Sequence, residues 1–342
     1  MTEPEGRGAA WTEERRRSVE GRRRLKGGPE TRRKQRRRAE QMMVPDVEFT
    51  SYYGRPVIKQ PAWGVPDIAG YLFLGGLAGA SSVLAAAAQV SGYGELARVA
   101  KIGALGAISL SAVALVHDLG RPERFANMLR VFKPTSPMSV GSWLLAAYGP
   151  VAGAAAVADV TGILPVAGTA ATLGAGLLGS GVATYTAALI CDTAVPGWHE
   201  GHREMPYLFA GSASCAAAGL GLLTLPPAAA RPARTLAALG APAELAAKRL
   251  LLRRLGDIAE PYEAGRPGQM LRAAELLTVG GLAGAVLGGR SRAVSALAGA
   301  SLLAASALTR FGVFEAGMVT ARDPKYTIVP QRRRRDRRRG MN

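Results

Sequence analysis

From about Pro66 onward the chain alternates between apolar runs of about 20 residues or more and short polar connections. A run of that length crosses ~30 Å of hydrocarbon at 1.5 Å rise per residue. The pattern predicts membrane helices over residues 66–91, 95–118, 137–159, 165–191, 205–227, 232–252, 270–289 and 292–316. The sixth run differs from the rest because it contains Glu244, Lys248 and Arg249, and a lone charge at the bilayer centre is expensive. Glu244 and Lys248 are four apart and can pair on one helix face, while Lys248, Arg249, Arg253 and Arg254 can snorkel to the helix end. The rival is an amphipathic helix lying in the interface.

Topology favours a span. An even number of crossings keeps the carboxy-terminal run RRRRDRRR, Arg332 to Arg339, on the same side as the basic amino terminus, and basic flanks prefer the cytoplasm. The expected fold class is therefore an all-α integral membrane protein with eight transmembrane helices and disordered basic termini. The connections on the amino-terminal side are also richer in Arg and Lys than those opposite, so that face is expected to be cytoplasmic, in a bacterial cell membrane.

Charge changes the picture at the ends. The formal net charge is +18, and residues 1–40 hold fourteen Lys or Arg against seven Asp or Glu. Such a segment cannot bury enough surface to offset its ordering entropy, so residues 1–48 read as a disordered tail. Anionic lipid headgroups are its expected neighbours, or else a partner subunit. No fold or aromatic platform accompanies the charge, which argues against nucleic acid. Residues 49–65 read as an ordered extended segment and 317–342 as a basic carboxy-terminal tail.

Small residues have a second role. Lipid offers little hydrophobic drive between helices, so close approach of small-residue faces supplies packing. Gly75, Gly76 and Gly79, then Gly174, Gly176, Gly179 and Gly181, then Gly280, Gly281 and Gly284 are placed for it.

The three histidines, His117, His199 and His202, all fall at span ends on one face, where they cannot hold a haem inside the bundle. The two cysteines, Cys191 and Cys215, cannot build a four-thiolate cluster. No haem or iron–sulfur cluster, and no metal, is expected in this chain, so electrons would have to come from another subunit. The chemistry gathers on the amino-terminal face. Asp67 and Tyr71 open the first span, His117 and Asp118 close the second, and Tyr185 and Asp192 end the fourth. Trp198, His199, Glu200 and Arg203 follow in the next connection. A quinone needs an apolar slot, a donor at each carbonyl and a proton route; Tyr, His and carboxylate at the membrane boundary can supply these. Each residue also has a plainer reading. His117 and Asp118 can satisfy helix carbonyls, Arg121 and Arg203 can pair with Glu123, Asp192 or Glu200, and Trp198 can be an interfacial anchor.

Four blocks carry a resemblance: HDLGRPERFANMLRVFKPTSPMSVGSW from His117, CDTAVPGWHEGHREMPYLFAGSAS from Cys191, YYGRPVIKQPAW from Tyr52, and RFGVFEAGMVTARDPKYTIVPQ from Arg310. Taken in their order along the chain, over residues 50–331, they resemble the membrane subunit of the polysulfide reductase/NrfD family. The resemblance implies eight helices as two four-helix bundles, here 66–191 with the quinone site and 192–316. It implies a ferredoxin-like 4Fe-4S partner and a molybdopterin catalytic subunit such as a formate dehydrogenase. The implied function is a quinone-reactive oxidoreductase subunit, active only within its complex. Thr184-Tyr185 matches the family's Ser/Thr-Tyr pattern, which makes Tyr185 the first candidate for a quinone carbonyl, with Tyr71 and Asp67 beside it. The first helix lacks the Asn and His of some relatives. Asp118, His117 and Asp67 are the expected proton-transfer groups, and Arg121, Glu123, Asp192, Trp198, His199, Glu200 and Arg203 the expected partner-docking cap. The Ala-, Arg- and Gly-heavy usage points to a high-GC bacterium and so to menaquinone. A proton- or ion-translocating transporter, built around Glu244 and Lys248, and a passive anchor for a soluble dehydrogenase are the competing readings.

Overall fold

A computed structural model describes residues 57–61, 63–120, 123–288, 291–338 and 340. The expected tail over residues 1–48, most of the extended segment after it and Arg121 lie outside the described residues. The helices are α1 (Val65–Val90), α2 (Gly94–Leu119), α3 (Glu123–Met128), α4 (Pro137–Thr161), α5 (Pro165–Cys191), α6 (Pro196–His199), α7 (Met205–Thr224), α8 (Arg231–Leu255), α9 (Glu260–Glu263), α10 (Gly265–Leu287), α11 (Arg292–Arg322) and α12 (Lys325–Arg338).

Local chemistry marks the helix ends. A proline stands in the first turn of α1, α4, α5, α7 and α8, where its missing N–H has no helical partner to lose. Ser136 accepts from the Ser139 N–H and caps α4. Gly120 (φ 68°) and Gly162 (φ 70°) close α2 and α4 in the left-handed region, which a residue without Cβ enters at little cost.

Among the described residues seven helices are long and apolar enough to cross a membrane: α1, α2, α4, α5, α7, α10 and α11. The protein is an all-α integral membrane protein. The charged helix α8 has 25 residues and runs between the same two end layers. Near its start Arg234 donates to the Pro227 carbonyl, and near its end Arg254 Nε donates to the Glu200 carbonyl at 2.9 Å.

Helices α1, α2, α4 and α5 pack on one another, as do α7, α8, α10 and α11; α7 then meets α1 and α5, and α11 meets α1. The core is graded along the helices. At the end carrying Trp63 and Trp198 it is built from large side chains, among them Leu72, Trp198, Met205, Phe209 and Phe314. Toward the other end it is mostly alanine, from Ala80 through Ala298. Small residues let the backbones meet there. A Cβ on Gly79 would lie 2.3 Å from the Gly179 carbonyl oxygen, and one on Gly299 2.5 Å from that of Gly219. The α1–α5 crossing uses two of the glycines expected to pack; the α7–α11 crossing uses a pair the sequence pattern did not single out.

Three expectations are corrected. Glu244 and Lys248 do not pair. Lys248 Nζ lies 2.8 Å from Glu275 Oε2 on α10, while Glu244 Oε1 accepts from Thr309 Oγ1 of α11 at 2.8 Å. The four-residue spacing puts both on one side of α8, but each meets a nearer partner on a different neighbouring helix. The last span does not end at residue 316, because α11 continues to Arg322. Beyond it the carboxy-terminal segment is not an irregular tail but helix α12. Lys325 lies 2.6 Å from Glu260, Arg334 lies 2.6 Å from Glu200, and Arg333 pairs with Asp257. Acidic groups of the connecting loops thus give the basic helix a seat.

Candidate functional site

At the large-side-chain end, an apolar slot opens between α1, α2, α4 and α5. It encloses a cavity of about 70 Å³. Apolar walls come from Ile68, Leu115, Leu145 and Leu189, and polar groups from Tyr71, Asp118, Ser142 and Tyr185. The Tyr185 ring can lie against α4 because residue 141 is glycine: a Cβ there would sit 2.3 Å from Tyr185 Cε2. The Tyr185 hydroxyl is buried and has no hydrogen-bond partner among the described residues. Leaving such a group unpaired costs about 1–3 kcal/mol.

Titratable groups gather beside the slot. Asp118 Oδ1 accepts from the Gly64 N–H at 2.9 Å, so that carboxylate both lines the slot and pins the start of α1. Asp67 stands close by: a Cβ on Gly64 would come within 3.1 Å of Asp67 Oδ2 and 3.4 Å of Asp118 Oδ1. Asp67 Oδ1 in turn lies 3.1 Å from Nδ1 of His117, whose side chain is 76% exposed. His117 thus touches Asp67, and Asp118 lines the slot nearby.

The cap beside the slot is held by Trp198, which is fully buried. Its ring stacks on Trp63 at 5.9 Å and meets Phe314 at 5.3 Å. Its Nε1–H donates to the Val313 carbonyl at 3.0 Å. Gly317 on α11 leaves room for that indole. The Tyr262 hydroxyl donates to the Gly197 carbonyl at 2.8 Å, and burial holds it far above the usual tyrosine range.

Of the residues expected at the site, Tyr71, Asp118 and Tyr185 meet in the slot, with Asp67 and His117 behind them. Asp192, His199, Arg203 and Glu123 are exposed on or near the same end. His199 Nδ1 lies 3.2 Å from the Cys191 carbonyl oxygen. Glu200 pairs with Arg334, not with Arg203. Trp198 is interior to the cap, so it organises that surface and is not part of it. Trp63, Gly141 and Ser142 belong to the site and were not among the expected residues. The only sequence signal for the latter two was the small pair Gly-Ser amid bulkier neighbours in SVGSW.

Residues 57–235 match the family described as Polysulphide reductase, NrfD. That stretch is just over half of the 342 residues and contains every residue of the slot. The chain belongs to the NrfD family. No curated protein matches it significantly. NrfD proteins are membrane subunits of quinone-interacting oxidoreductase complexes, commonly assembled with iron–sulfur and molybdopterin subunits. In this NrfD chain the slot lies within the matched stretch.

Proposed function

We propose that this NrfD subunit passes electrons between a docked ferredoxin-like iron–sulfur subunit and menaquinone in the slot of the first bundle. The observation that carries the reading is Tyr185, which lines an apolar slot beside a carboxylate and whose buried hydroxyl has no partner among the described residues. A quinone supplies two-electron redox chemistry and takes or releases two protons. Tyr185 donates a hydrogen bond to one carbonyl oxygen. Ile68, Leu115, Leu145 and Leu189 exclude water from the ring. Asp118 holds or releases a proton at the slot wall, and Asp67 and His117 connect it to the surface. Tyr71, on the facing helix, sets the width of the slot.

The cap around His117–Trp143 and the loop at Asp192–Arg203 form the surface on which the iron–sulfur subunit docks. Glu123, Asp192, His199 and Arg203 supply its exposed polar groups and Arg121 adds a charge. Behind that partner stands a molybdopterin enzyme, such as a formate dehydrogenase. The basic helix α12 on this end and the positive-inside preference support a cytoplasmic position for this end in a bacterial cell, with α8 counted as the eighth span. Abundant Gly and Ala support a high-GC source, and with it menaquinone.

The test is purification in gentle detergent followed by extraction of bound quinone from wild type, Tyr185→Phe and Asp67→Asn. Menaquinone co-purifying with wild type and depleted in Tyr185→Phe is expected. Absence of quinone from wild type with its iron–sulfur partner still attached would leave a passive anchor.

A further inference from the structure

The second bundle contains a buried ionisable group that the slot chemistry does not use. Glu244 lies thirteen residues from Arg231 and eleven from Leu255 in α8, so about 20 and 17 Å from the two ends. It is 3% exposed. Oε1 accepts from Thr309, and Oε2 has no partner among the described residues. Its backbone is clamped by α7, since a Cβ on Gly211 would lie 2.6 Å from the Glu244 nitrogen.

The groups around it come from every neighbouring helix. Ser212 and Cys215 of α7 stand beside the carboxyl. From α11 comes Arg310, fully buried and within electrostatic reach of Glu244. Arg310 Nη2 donates to the Phe209 carbonyl at 2.7 Å and its guanidinium lies 3.7 Å from the Phe209 ring centroid. Its Nε and Nη1 have no hydrogen-bond partner among the described residues. From α8 and α10 come Lys248 and Glu275, which pair with each other. A cavity of about 10 Å³ runs between them and Glu244, lined also by Thr278, Thr309 and, toward the cap, Tyr262. That is the space of about one water.

We propose that Glu244 is a proton-binding site at mid-membrane, loaded through this cavity from the cap end and balanced by Arg310. An isolated buried charge is costly. Here the anion is balanced by a fixed guanidinium and the neutral acid by the apolar surroundings, so the site holds either form. The cavity is too small for a solute, and Arg310 repels a metal cation, which leaves the proton. Arg310 also reaches the first bundle. A Cβ on Gly76 would meet its Nη2 at 2.9 Å, five residues along α1 from Tyr71 of the slot. The slot helix α1 therefore packs directly against the partner of Glu244. Use of the site to move protons across the membrane rests on the quinone reading; its protonation does not.

The experiment takes the assembled complex in two arms. In the first, infrared difference spectra between acidic and alkaline buffer are recorded for wild type, Glu244→Gln, Glu275→Gln and Thr309→Val. A carboxylic C=O band should titrate in wild type, vanish in Glu244→Gln, persist in Glu275→Gln and shift in Thr309→Val, which loses one hydrogen bond to the same carboxyl. A band unchanged in Glu244→Gln overturns the proposal, and where that variant does not assemble an unmoved band in Thr309→Val does so. In the second arm, vesicles holding the complex and a pH dye are given electron donor and quinone. Glu244→Gln should keep quinone turnover within about twofold and lose protons moved per electron; an unchanged proton yield refutes the transport role. A wild type that titrates but turns over no quinone would sink the quinone reading alone.

Discussion

Nδ1 of His117 lies 3.1 Å from Oδ1 of Asp67 and ties the end of α2 to the first turn of α1 at the mouth of the slot. The imidazole is mostly exposed, so the contact adds little stability, about 1 kcal/mol or less. Its value lies in its position, one step outside Asp118.

Asp67→Asn should therefore separate stability from rate. The melting temperature is expected to move by no more than about 4 °C, while quinone turnover falls by about tenfold or more, in line with loss of a proton-transfer group. Turnover and scanning fluorimetry on the same preparation check this. A drop in both together would make the pair a structural clamp.

Tyr185→Phe should move stability and function in opposite directions. Removing a buried hydroxyl with no partner among the described residues leaves folding unchanged or improves it by up to about 1 kcal/mol. Loss of its hydrogen bond to a carbonyl should weaken quinone binding about tenfold. Quinone titration against thermal unfolding reads the two signs.

Gly141→Ala places a methyl where the Tyr185 ring now lies. The ring has to shift, at about 1–3 kcal/mol, and turnover should fall although no polar group is removed. Retention of full turnover would show that the hydroxyl does not need its present position.

The Lys325 end of helix α12 should loosen at both extremes of pH. The Lys325 ammonium holds the Glu260 carboxyl below its ordinary value, and Glu260 raises Lys325. The Glu260 contribution is present above the ordinary carboxylate range and is lost as pH falls through the depressed value. The Lys325 contribution is present below the ordinary lysine value and is lost as pH rises through the raised one. Both groups are exposed, so salt should loosen the helix at neutral pH as well. Amide exchange over residues 325–338, compared at low and high salt and across pH, measures this; Arg334→Glu should speed it at neutral pH.

How much of this was legible depends on the range of the signal. Tyr71, Asp118, Tyr185, Asp67 and His117 could be gathered from the sequence because each sits at the same end of an apolar run, and run ends share a membrane face. Gly141 and Ser142 could not, since what marks them is the approach of Tyr185 from another helix. Arg310 left a trace that went unused, a charge inside an apolar stretch.

The sequence by itself determined the class of the protein: runs long enough to cross hydrocarbon, basic ends, and polar groups collected at one face. These follow from composition over about 20 residues, which solvent alone sorts. Only the tertiary structure decided which polar groups meet. Lys248 turns to Glu275 and not to Glu244, Glu244 turns to Thr309, α12 finds Glu200, and the slot forms where Gly141 admits Tyr185. Helix rotation and pairing are set by the fit of small residues on neighbouring helices, and that fit joins positions far apart in the chain.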